Sequence, residues 1–509
     1  MKSFFATFAL LAAVVSLPAG CGRPDADVAA AQGLAGRIVP GYASKIRFEK
    51  LAPAADSTDR FELETVGRKL VVRGNNANSM AVGLNHFLKY YARTSVSWFA
   101  GQPVEVPAEM PVVAEKVAHS ALLDDRFFLN YCTFGYTMVW WQWRDWERLI
   151  DWMALNGVTL PLAITGQEAV WARVWQKLGL TDEQVRSYFT GPAHLPWHRM
   201  SNLDYWQSPL PQSWLDAQVE LQKRIVARER ELNMKPVLPA FAGHVPAELG
   251  EIYPEAKISR MSKWGGFEDR YRSHFLDPLD PLFARIQREF LAEQTALFGT
   301  DHIYGADPFN EVDPPSWEPE FLARVSRTIY DTMTEADPEA EWLQMTWLFY
   351  LDRDKWHDDR IEAFVTAVPQ DKMLLLDYYC ENTEVWRQTH SYHGQPYFWC
   401  YLGNFGGNTM LVGNFDEVSK RIDGVLGLGS TLEGLDSNPF MYDYVFERAW
   451  DFPVDDDRWF DALADRYLGY EDTGYRRAWD ALRKNVYITS SKYGHCPLLN
   501  ARPTLEGIL

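Results

Sequence analysis

Residues 302–311 read His-Ile-Tyr-Gly-Ala-Asp-Pro-Phe-Asn-Glu, an apolar run that ends in the polar pair Asn310 and Glu311. Such a run indicates a buried strand, and similar runs recur between longer stretches with the apolar spacing of helices. Eight such units predict a (β/α)8 barrel over residues 122–452, with a doubly wound open sheet as the alternative because sequence does not show closure. The predicted strands are Phe127–Tyr131, Val158–Ile164, Pro236–Phe241, His302–Phe309, Trp342–Trp347, Met373–Tyr379, Tyr397–Leu402 and Ser430–Leu435.

Two smaller segments flank the predicted barrel. Phe61–Glu64 and Leu70–Val72 surround a glycine turn and predict a β-hairpin, which is followed by a helical stretch. Together they predict a small N-terminal α/β domain at residues 37–118, preceded by a linker over residues 22–36. The apolar spacing after the barrel predicts the start of a C-terminal helical domain at residues 453–509.

The first 21 residues have the pattern of an export signal. Lys2 gives a positive start, and residues 4–17 are almost wholly apolar or small, a run shorter than the roughly 20 residues of a membrane span. Leu17-Pro18-Ala19-Gly20-Cys21 resembles a bacterial lipoprotein cleavage site, although Pro18 stands near a position where leucine is usual. We therefore expect an exported protein with a lipid anchor at Cys21, located in the periplasm or at the outer membrane, and plain secretion is the alternative.

Composition narrows the class of partner. The formal charge of −19 disfavours binding to phosphate backbones, so no nucleic acid partner is predicted. The 21 Trp and 24 Tyr suit either a large aromatic core or flat rings that stack on sugars. The five cysteines contain no C-x-x-C pair, which argues against a zinc knuckle or a dense disulfide framework.

Two carboxylates are the candidates for catalysis. Asn310-Glu311 ends a predicted barrel strand, where an amide can bind a sugar hydroxyl while a carboxyl protonates a leaving oxygen. A helix cap with a first-turn acid is the alternative interpretation of this pair. Glu433 lies within the apolar run Thr431–Leu435, where a carboxylate is costly to bury unless it is paired or functional. A structural ion pair is the alternative there.

Histidine-based metal chemistry is not favoured by the sequence. His194 and His198 have a spacing of four residues, but Pro196 between them is expected to break the helix that would align them on a metal. His244 follows a predicted strand, where it could contact substrate or serve as a hydrogen-bonded structural histidine. We find no H-E-x-x-H, G-x-S-x-G, Walker or G-x-G-x-x-G motif, and no metal or cofactor is predicted.

Several motifs in order give the chain a resemblance to a known family. From Phe128 to about Trp450 it resembles glycoside hydrolase family 89, the α-N-acetylglucosaminidases, over about two thirds of its length. The stretches that carry the resemblance are Asn130-Tyr131-Cys132-Thr133, Trp140-Trp141-Gln142-Trp143, Asp151-Trp152-Met153-Ala154-Leu155-Asn156-Gly157, Pro239-Ala240-Phe241-Ala242-Gly243-His244-Val245-Pro246, Tyr304-Gly305-Ala306-Asp307, Phe309-Asn310-Glu311 and Asn404-Phe405-Gly406-Gly407.

The resemblance implies roles for particular residues. Glu311 matches the general acid/base of the family and Glu433 its nucleophile. The positions that match the wall of the family's sugar pocket are Asn130, Cys132, Tyr136, Trp197, Trp264, Asn310, Trp347 and Phe405. Core packing is the alternative role for each of these eight residues.

Two departures from the family pattern affect what is expected at the site. Gly403 stands where human-type members carry histidine, which puts contacts to the aglycone in doubt. The family also continues into a long helical C-terminal domain that completes the pocket, whereas this sequence ends at Leu509. The sequence is therefore expected to be a fragment, or to have a more open site than its relatives.

The resemblance thus predicts a retaining exo-glycosidase that removes terminal α-linked N-acetylglucosamine from glycans without a metal or cofactor. The alternative is a glycan-binding protein that kept the barrel and lost turnover.

Overall fold

The computed structural model describes residues 25–52, 58–99, 103–406, 411–418, 424–436, 438–453 and 455–488. The predicted export signal, its lipidation site Cys21 and the C-terminal Cys496 lie outside these residues. Within the described part of the chain, no helix combines the length and the apolar character needed to cross a bilayer.

The N-terminal domain is a four-stranded sheet covered by helices. Its strands are β1 (Ile46–Lys50), β2 (Arg60–Val66), β3 (Lys69–Gly74) and β4 (Val117–Ser120), in the order β1-β3-β2-β4. Strands β2 and β3 form the predicted antiparallel hairpin, whose turn requires Gly67 at a φ of +62°. Helices α1 (Ala26–Ile38), α2 (Pro40–Ala43) and α3 (Ala77–Tyr90) complete the domain, and α3 packs on β2 and β3.

The prediction of a linker over residues 22–36 was wrong for the residues that the structure describes. Helix α1 occupies Ala26–Ile38 and begins at Asp25, whose carboxylate accepts a hydrogen bond from the backbone N–H of Asp27 at 2.9 Å. The small residues that suggested a linker are mostly alanines, which have the highest helix propensity. The buried residues of the helix are Ala30, Ala31, Leu34, Ala35 and Ile38.

The central domain is a parallel eight-stranded barrel. In the described residues the strand order is β6-β5-β15-β14-β13-β12-β11-β7. A parallel bridge between Leu162 and Val237 joins the two ends, which excludes the open-sheet alternative. Its strands are β5 (Asp125–Phe128), β6 (Leu160–Pro161), β7 (Leu238–Pro239), β11 (Ile303–Gly305), β12 (Glu341–Met345), β13 (Met373–Asp377), β14 (Tyr397–Tyr401) and β15 (Gly427–Ser430).

Helices and a small antiparallel sheet surround the barrel. The sheet consists of β8 (His244–Val245), β9 (Ile258–Arg260) and β10 (His274–Leu276). The helices are α4 (Thr133–Tyr136), α5 (Trp143–Leu155), α6 (Gln167–Lys177), α7 (Asp182–Tyr188), α8 (Leu195–Arg199), α9 (Gln212–Glu231), α10 (Leu249–Ile252), α11 (Pro281–Phe298), α12 (Pro319–Ala336), α13 (Trp347–Leu351), α14 (Asp358–Thr366), α15 (Val385–Gln388), α16 (Phe415–Val418) and α17 (Pro439–Glu447). After the barrel the chain forms α18 (Asp456–Leu468) and α19 (Thr473–Asn485).

The last barrel strand differs from its prediction. The apolar run Ser430–Leu435 was expected to be the strand, but β15 ends at Ser430, so Glu433 follows the strand by three residues. The strand itself contains Gly427 and Gly429, residues that rarely indicate a strand interior. A Cβ at Gly427 would lie 2.2 Å from the carbonyl oxygen of Asp125, so the close approach of β5 requires glycine there.

Buried ion pairs connect the N-terminal domain to the barrel. Lys89 on α3 donates to Glu447 on α17 at 2.7 Å and also to Asp443, and its own side chain is only 6% exposed. Arg126 on β5 donates to Asp59 at 2.5 Å with its side chain fully buried. Because a buried charge without a partner is destabilising, these pairs couple the two domains.

Candidate active site

A cavity of about 570 Å³ opens among the loops at the C-terminal ends of the barrel strands. This end of a (β/α)8 barrel is where catalytic side chains gather in enzymes of known function. The two candidate catalytic glutamates and the eight candidate pocket residues from the sequence analysis all line this cavity, together with eight other residues. Among the residues that the structure describes, the lining consists of Asn130, Cys132, Tyr136, Trp197, Met200, Trp264, Asn310, Glu311, Met345, Trp347, Tyr350, Leu351, Tyr378, Tyr379, Asn382, Leu402, Phe405 and Glu433.

Glu311 is held between two indole rings. The Nε1–H of Trp264 donates to its Oε2 at 2.6 Å, and the Nε1–H of Trp347 donates to its Oε1 at 2.7 Å. Trp347 starts α13 just after β12, whereas Trp264 comes from the loop between β9 and β10. Both oxygens of the carboxylate are therefore fixed by side chains from two separate parts of the barrel.

The backbone that carries Glu311 is strained. Phe309 and Glu311 have φ values of +65° and +57°, in the left-handed region that side chains other than glycine seldom adopt. Asn310 lies between them, 1% exposed, with its Nδ2 3.4 Å from the sulfur of Met200. Its Oδ1 is buried and has no hydrogen-bond partner among the described protein atoms.

Within the described residues, the carboxylate of Glu433 is held by the backbone rather than by side chains. The N–H of Gly406 donates to its Oε2 at 2.7 Å. The pKa of Glu433 is raised to about 7, because burial and, to a smaller extent, the nearby charge of Glu311 outweigh the lowering effect of the Gly406 hydrogen bond. Because the charge of Glu311 contributes to this shift, the two carboxyl groups lie close enough to interact electrostatically.

The loop after β5 supports the segment that leads to Glu433. Asn130 donates from Nδ2 to the carbonyl of Thr431 at 2.7 Å and accepts the N–H of Cys132 at 3.0 Å. Thr133 donates from Oγ1 to the carbonyl of Leu432 at 2.6 Å. Asn130 therefore fixes the approach to Glu433 with the same amide that lines the cavity.

The thiol of Cys132 is buried beside both carboxylates. Burial raises the pKa of Cys132 well above its ordinary value, and the charges of Glu433 and Glu311 raise it further. The side chain is consequently a neutral thiol and acts as a small, weakly polar part of the cavity wall.

Aromatic rings form much of the remaining wall. Tyr136 packs edge-on against Trp197 with ring centroids 5.4 Å apart. Trp197 also packs against Trp264, with ring centroids 6.2 Å apart. Trp347 meets Phe405 at 6.0 Å on another part of the wall. Flat apolar rings beside carboxylates suit a ligand with both apolar faces and hydroxyl groups, such as a pyranose.

Sequence reasoning missed the eight other lining residues. Tyr378 and Tyr379 directly follow β13, so the rule that polar residues at strand ends face the site could have found them. No local sequence signal marks the rest, because their place on the wall depends on how the loops fold over the barrel. They are Met200, Met345, Tyr350, Leu351, Asn382 and Leu402.

One group among the described residues has the composition of a metal site. The ring nitrogens of His244 and His198 lie 2.8 and 3.1 Å from the same carboxylate oxygen of Asp204. These separations are hydrogen-bond lengths, so the cluster is accounted for by N–H groups directed at a buried carboxylate. Pro196 does not break the helix as expected, because it lies in the first turn of α8, where proline is tolerated.

His244 is placed away from the large cavity. It lines a separate cavity of about 40 Å³, and its bond to Asp204 makes it the hydrogen-bonded structural histidine of the two alternatives.

Comparison with known proteins assigns this architecture to a family. Residues 126–452 match the α-N-acetylglucosaminidase TIM-barrel domain, and residues 29–112 match the N-terminal domain of the same proteins. A human α-N-acetylglucosaminidase is 39% identical over 522 residues, covering 98% of this chain and 70% of the human protein. The chain belongs to the α-N-acetylglucosaminidase family.

Solved structures of the α-N-acetylglucosaminidase family share its fold. A family 89 glycoside hydrolase from Clostridium perfringens in complex with 2-acetamido-1,2-dideoxynojirimycin has a TM-score of 0.85 at 27% identity. A variant of the clostridial enzyme with two glutamates replaced by glutamine, in complex with its substrate GlcNAc-α-1,4-galactose, has a TM-score of 0.86 at 27% identity. Each comparison covers 94% of this chain, which spans 55% of the length of either clostridial structure.

Proposed function

We propose that this chain is a retaining exo-α-N-acetylglucosaminidase that uses Glu433 as nucleophile and Glu311 as general acid/base. The observation that carries the proposal is the presence of both glutamates in one aromatic-lined cavity at the catalytic end of a family 89 barrel. The cavity volume of about 570 Å³ lies in the range of sites for small ligands. The chemistry that follows needs no metal or cofactor.

In the first step, the carboxylate of Glu433 attacks the anomeric carbon and forms a glycosyl-enzyme ester. The bond to the leaving oxygen breaks, and Glu311 supplies the proton that this oxygen needs. In an α-linked residue the 2-acetamido group is cis to the leaving group, so it has no access to the opposite face of the carbon. A protein carboxylate must therefore serve as the nucleophile.

In the second step, water replaces the sugar on Glu433. Glu311, now ionised, removes a proton from the water as it attacks the anomeric carbon, and Glu433 leaves as a carboxylate. Two inversions give net retention, which requires carboxyl groups roughly 5–5.5 Å apart. A separation of about 9 Å would instead leave room for a water molecule and indicate inversion.

The electrostatics of the free site predict its response to pH. Attack requires Glu433 in its ionised form, and its pKa of about 7 means that this form is lost as the pH falls through neutrality. We therefore expect kcat/KM to decline on the acidic side of about pH 7, even though an ordinary glutamate would remain ionised there.

The decisive experiment compares aryl glycosides that differ in sugar and in anomeric configuration. Hydrolysis of 4-nitrophenyl α-N-acetylglucosaminide is expected, with little release from the β-anomer or from the α-glucoside. Proton NMR during the first turnovers should show the α-anomer of the free sugar before mutarotation. A first product in the β configuration would contradict retention, whereas sugar binding without hydrolysis would favour a glycan-binding protein.

We further propose export and lipid attachment at Cys21. The positive Lys2, the apolar run over residues 4–17 and the lipobox-like Leu17–Cys21 support this proposal. The wild-type chain and Cys21→Ser, expressed in a Gram-negative host with labelled palmitate, provide the test. Label is expected in the wild type and not in Cys21→Ser; an unlabelled wild type recovered from the periplasm or the medium would favour plain secretion.

A further inference from the structure

The segment 197–204 lies directly behind the catalytic loop that ends in Glu311. Its first residue, Trp197, and Met200 line the cavity, whereas Asn202 is buried behind it and is 1% exposed. The side chain of Asn202 does not line the cavity. It donates from Nδ2 to the carbonyl oxygen of Asn310 at 2.7 Å.

This hydrogen bond acts on the peptide immediately before Glu311. The carbonyl of Asn310 belongs to the peptide plane that joins Asn310 to Glu311, so fixing that plane constrains the backbone from which the Glu311 side chain projects. Asn310, whose carbonyl accepts the bond, lies between two left-handed residues, Phe309 and Glu311. Such conformations persist only where the surroundings hold them, and Asn202 supplies a side-chain contact to this turn.

The segment that carries Asn202 is itself firmly held. The N–H of Asn202 donates to the carbonyl of Trp197 at 2.8 Å, and Ser273 donates from Oγ to the carbonyl of Ser201 at 2.6 Å. Asp204 closes the segment through its contacts with His198 and His244. The donor therefore projects from a rigid support, as is required of a group that positions another residue.

We propose that Asn202 is a positioning residue that aims Glu311 at the glycosidic oxygen. The inference rests on the proposed function, because it assigns Asn202 to the proton-transfer half of that mechanism. Different contacts hold Glu433: Gly406 donates to its carboxylate, and Asn130 and Thr133 support the segment that leads to it. Loss of Asn202 should therefore impair protonation of the leaving group more than attack on the anomeric carbon.

The test uses Asn202→Leu, which keeps the approximate shape and removes the N–H donor without adding charge. Asn78→Leu is the matched control, because Asn78 is also fully buried, donates from Nδ2 to a carbonyl at 2.9 Å and has an unpartnered Oδ1 among the described atoms. That residue lies on α3 in the N-terminal domain. The substrates are phenyl and 2,4-dinitrophenyl α-N-acetylglucosaminide. The phenyl leaving group needs protonation, whereas the dinitrophenyl leaving group does not.

For Asn202→Leu we expect kcat/KM to fall about tenfold or more with the phenyl substrate, and less than about threefold with the dinitrophenyl substrate. For Asn78→Leu the two substrates should be affected equally, with melting temperatures of the two variants reduced alike. Asn202→Ala gives a second measurement if the leucine variant does not fold.

An equal loss with both substrates in the Asn202 variants, or no loss, would overturn the positioning role while leaving the glycosidase assignment intact. Failure of the wild-type chain to hydrolyse either substrate would overturn both.

Discussion

The loops that carry Glu311 and Glu433 meet in one cavity, but they hold their carboxylates in different ways. Glu311 is fixed by two indole N–H groups and follows a strained turn. Glu433 accepts the backbone N–H of Gly406, and its pKa is raised to about 7, chiefly by burial. The hydrogen-bond donors to Glu311 are side chains, which a substitution can remove. The donor to Glu433 is a backbone N–H, which a substitution does not remove directly.

The difference fits the two tasks in the proposed mechanism. A general acid/base must exchange a proton in each half of the cycle, so orientation of its carboxyl group controls the rate. A nucleophile must approach the anomeric carbon along one line, and a backbone contact fixes its position without a mobile partner. The substitutions below test whether the two loops are specialised in this way.

The largest expected effect is that of Glu433→Gln. The amide keeps the size of the side chain but cannot form the glycosyl-enzyme, so turnover of every substrate should fall roughly 10⁴-fold or more. Initial rates on aryl substrates with good and poor leaving groups provide the measurement. Full activity in this variant would remove Glu433 from the mechanism.

Glu311→Ala should lose activity on substrates whose leaving group needs protonation and still form the glycosyl-enzyme from the others. With a leaving group of low pKa the first step still proceeds, whereas substrates that need protonation should lose about 10²- to 10⁴-fold. The glycosyl-enzyme should then accumulate, and added azide, which needs no general base, should restore turnover. NMR of the product should show an α-glycosyl azide; a β-azide would contradict the assignment of the two glutamates.

Smaller effects are expected at the indoles that hold Glu311. Trp264→Phe and Trp347→Phe keep an aromatic ring and remove one N–H donor each, at 2.6 and 2.7 Å from the carboxylate. Hydrogen bonds to charged groups support a loss of about 10- to 100-fold in kcat/KM for poor leaving groups. Trp197→Phe, a ring of the same wall, is the control, and an equal loss in all three variants would indicate ring packing alone.

The smallest expected effect is a change in the free energy of unfolding caused by Glu433→Gln. The folded chain holds the proton of Glu433 up to about pH 7, whereas the unfolded chain releases it near the ordinary value of 4.5. Glu433 therefore lowers the free energy of unfolding of the wild type as the pH rises between these values, and Glu433→Gln, which is neutral at this position throughout, lacks this contribution. Above pH 7 the variant should be more stable by up to about 3 kcal/mol, with no difference below about pH 4.5.

Denaturant unfolding at pH 4 and pH 8 measures this difference in stability. Glu220→Gln, at a side chain that is 73% exposed on α9, is the control, and its stability relative to the wild type should be the same at the two pH values. An equal stability of Glu433→Gln and the wild type at pH 8 would show that Glu433 is not the buried acid described here.

Sequence patterns predicted the barrel well because its strands are short apolar runs separated by helices. Seven of the predicted strands overlap their observed counterparts by two residues or more, and the eighth, Ser430–Leu435, overlaps β15 only at Ser430. The error arose because the apolar run after Ser430 was more strand-like than the glycine-containing segment that pairs with β5. Close packing against a neighbour, which requires Gly427, is a tertiary property and leaves no local signal.

The resemblance to the family identified ten of the cavity residues, but the contacts between these residues could not be predicted from the sequence. The sequence indicates Glu311 and Trp264 as candidates, but they are 47 residues apart, and their hydrogen bond depends on the fold of an intervening segment that contains β10, α11 and β11. Likewise, Phe309 and Glu311 are not residue types that favour left-handed backbone. Asn202 carried no motif at all, because its role depends on a single contact with another loop.

The buried pairing of Lys89 with helix α17 bears on how this chain is made. Synthesis proceeds from the N-terminus, but the carboxylates that neutralise Lys89 lie 354 and 358 residues later, beyond the loop that carries Glu433. Until they emerge, the first domain contains an uncompensated ammonium at a surface that will become interior. Burial of this face of the N-terminal domain must therefore wait until nearly the whole barrel has been synthesised, since only then are the partners of Lys89 present.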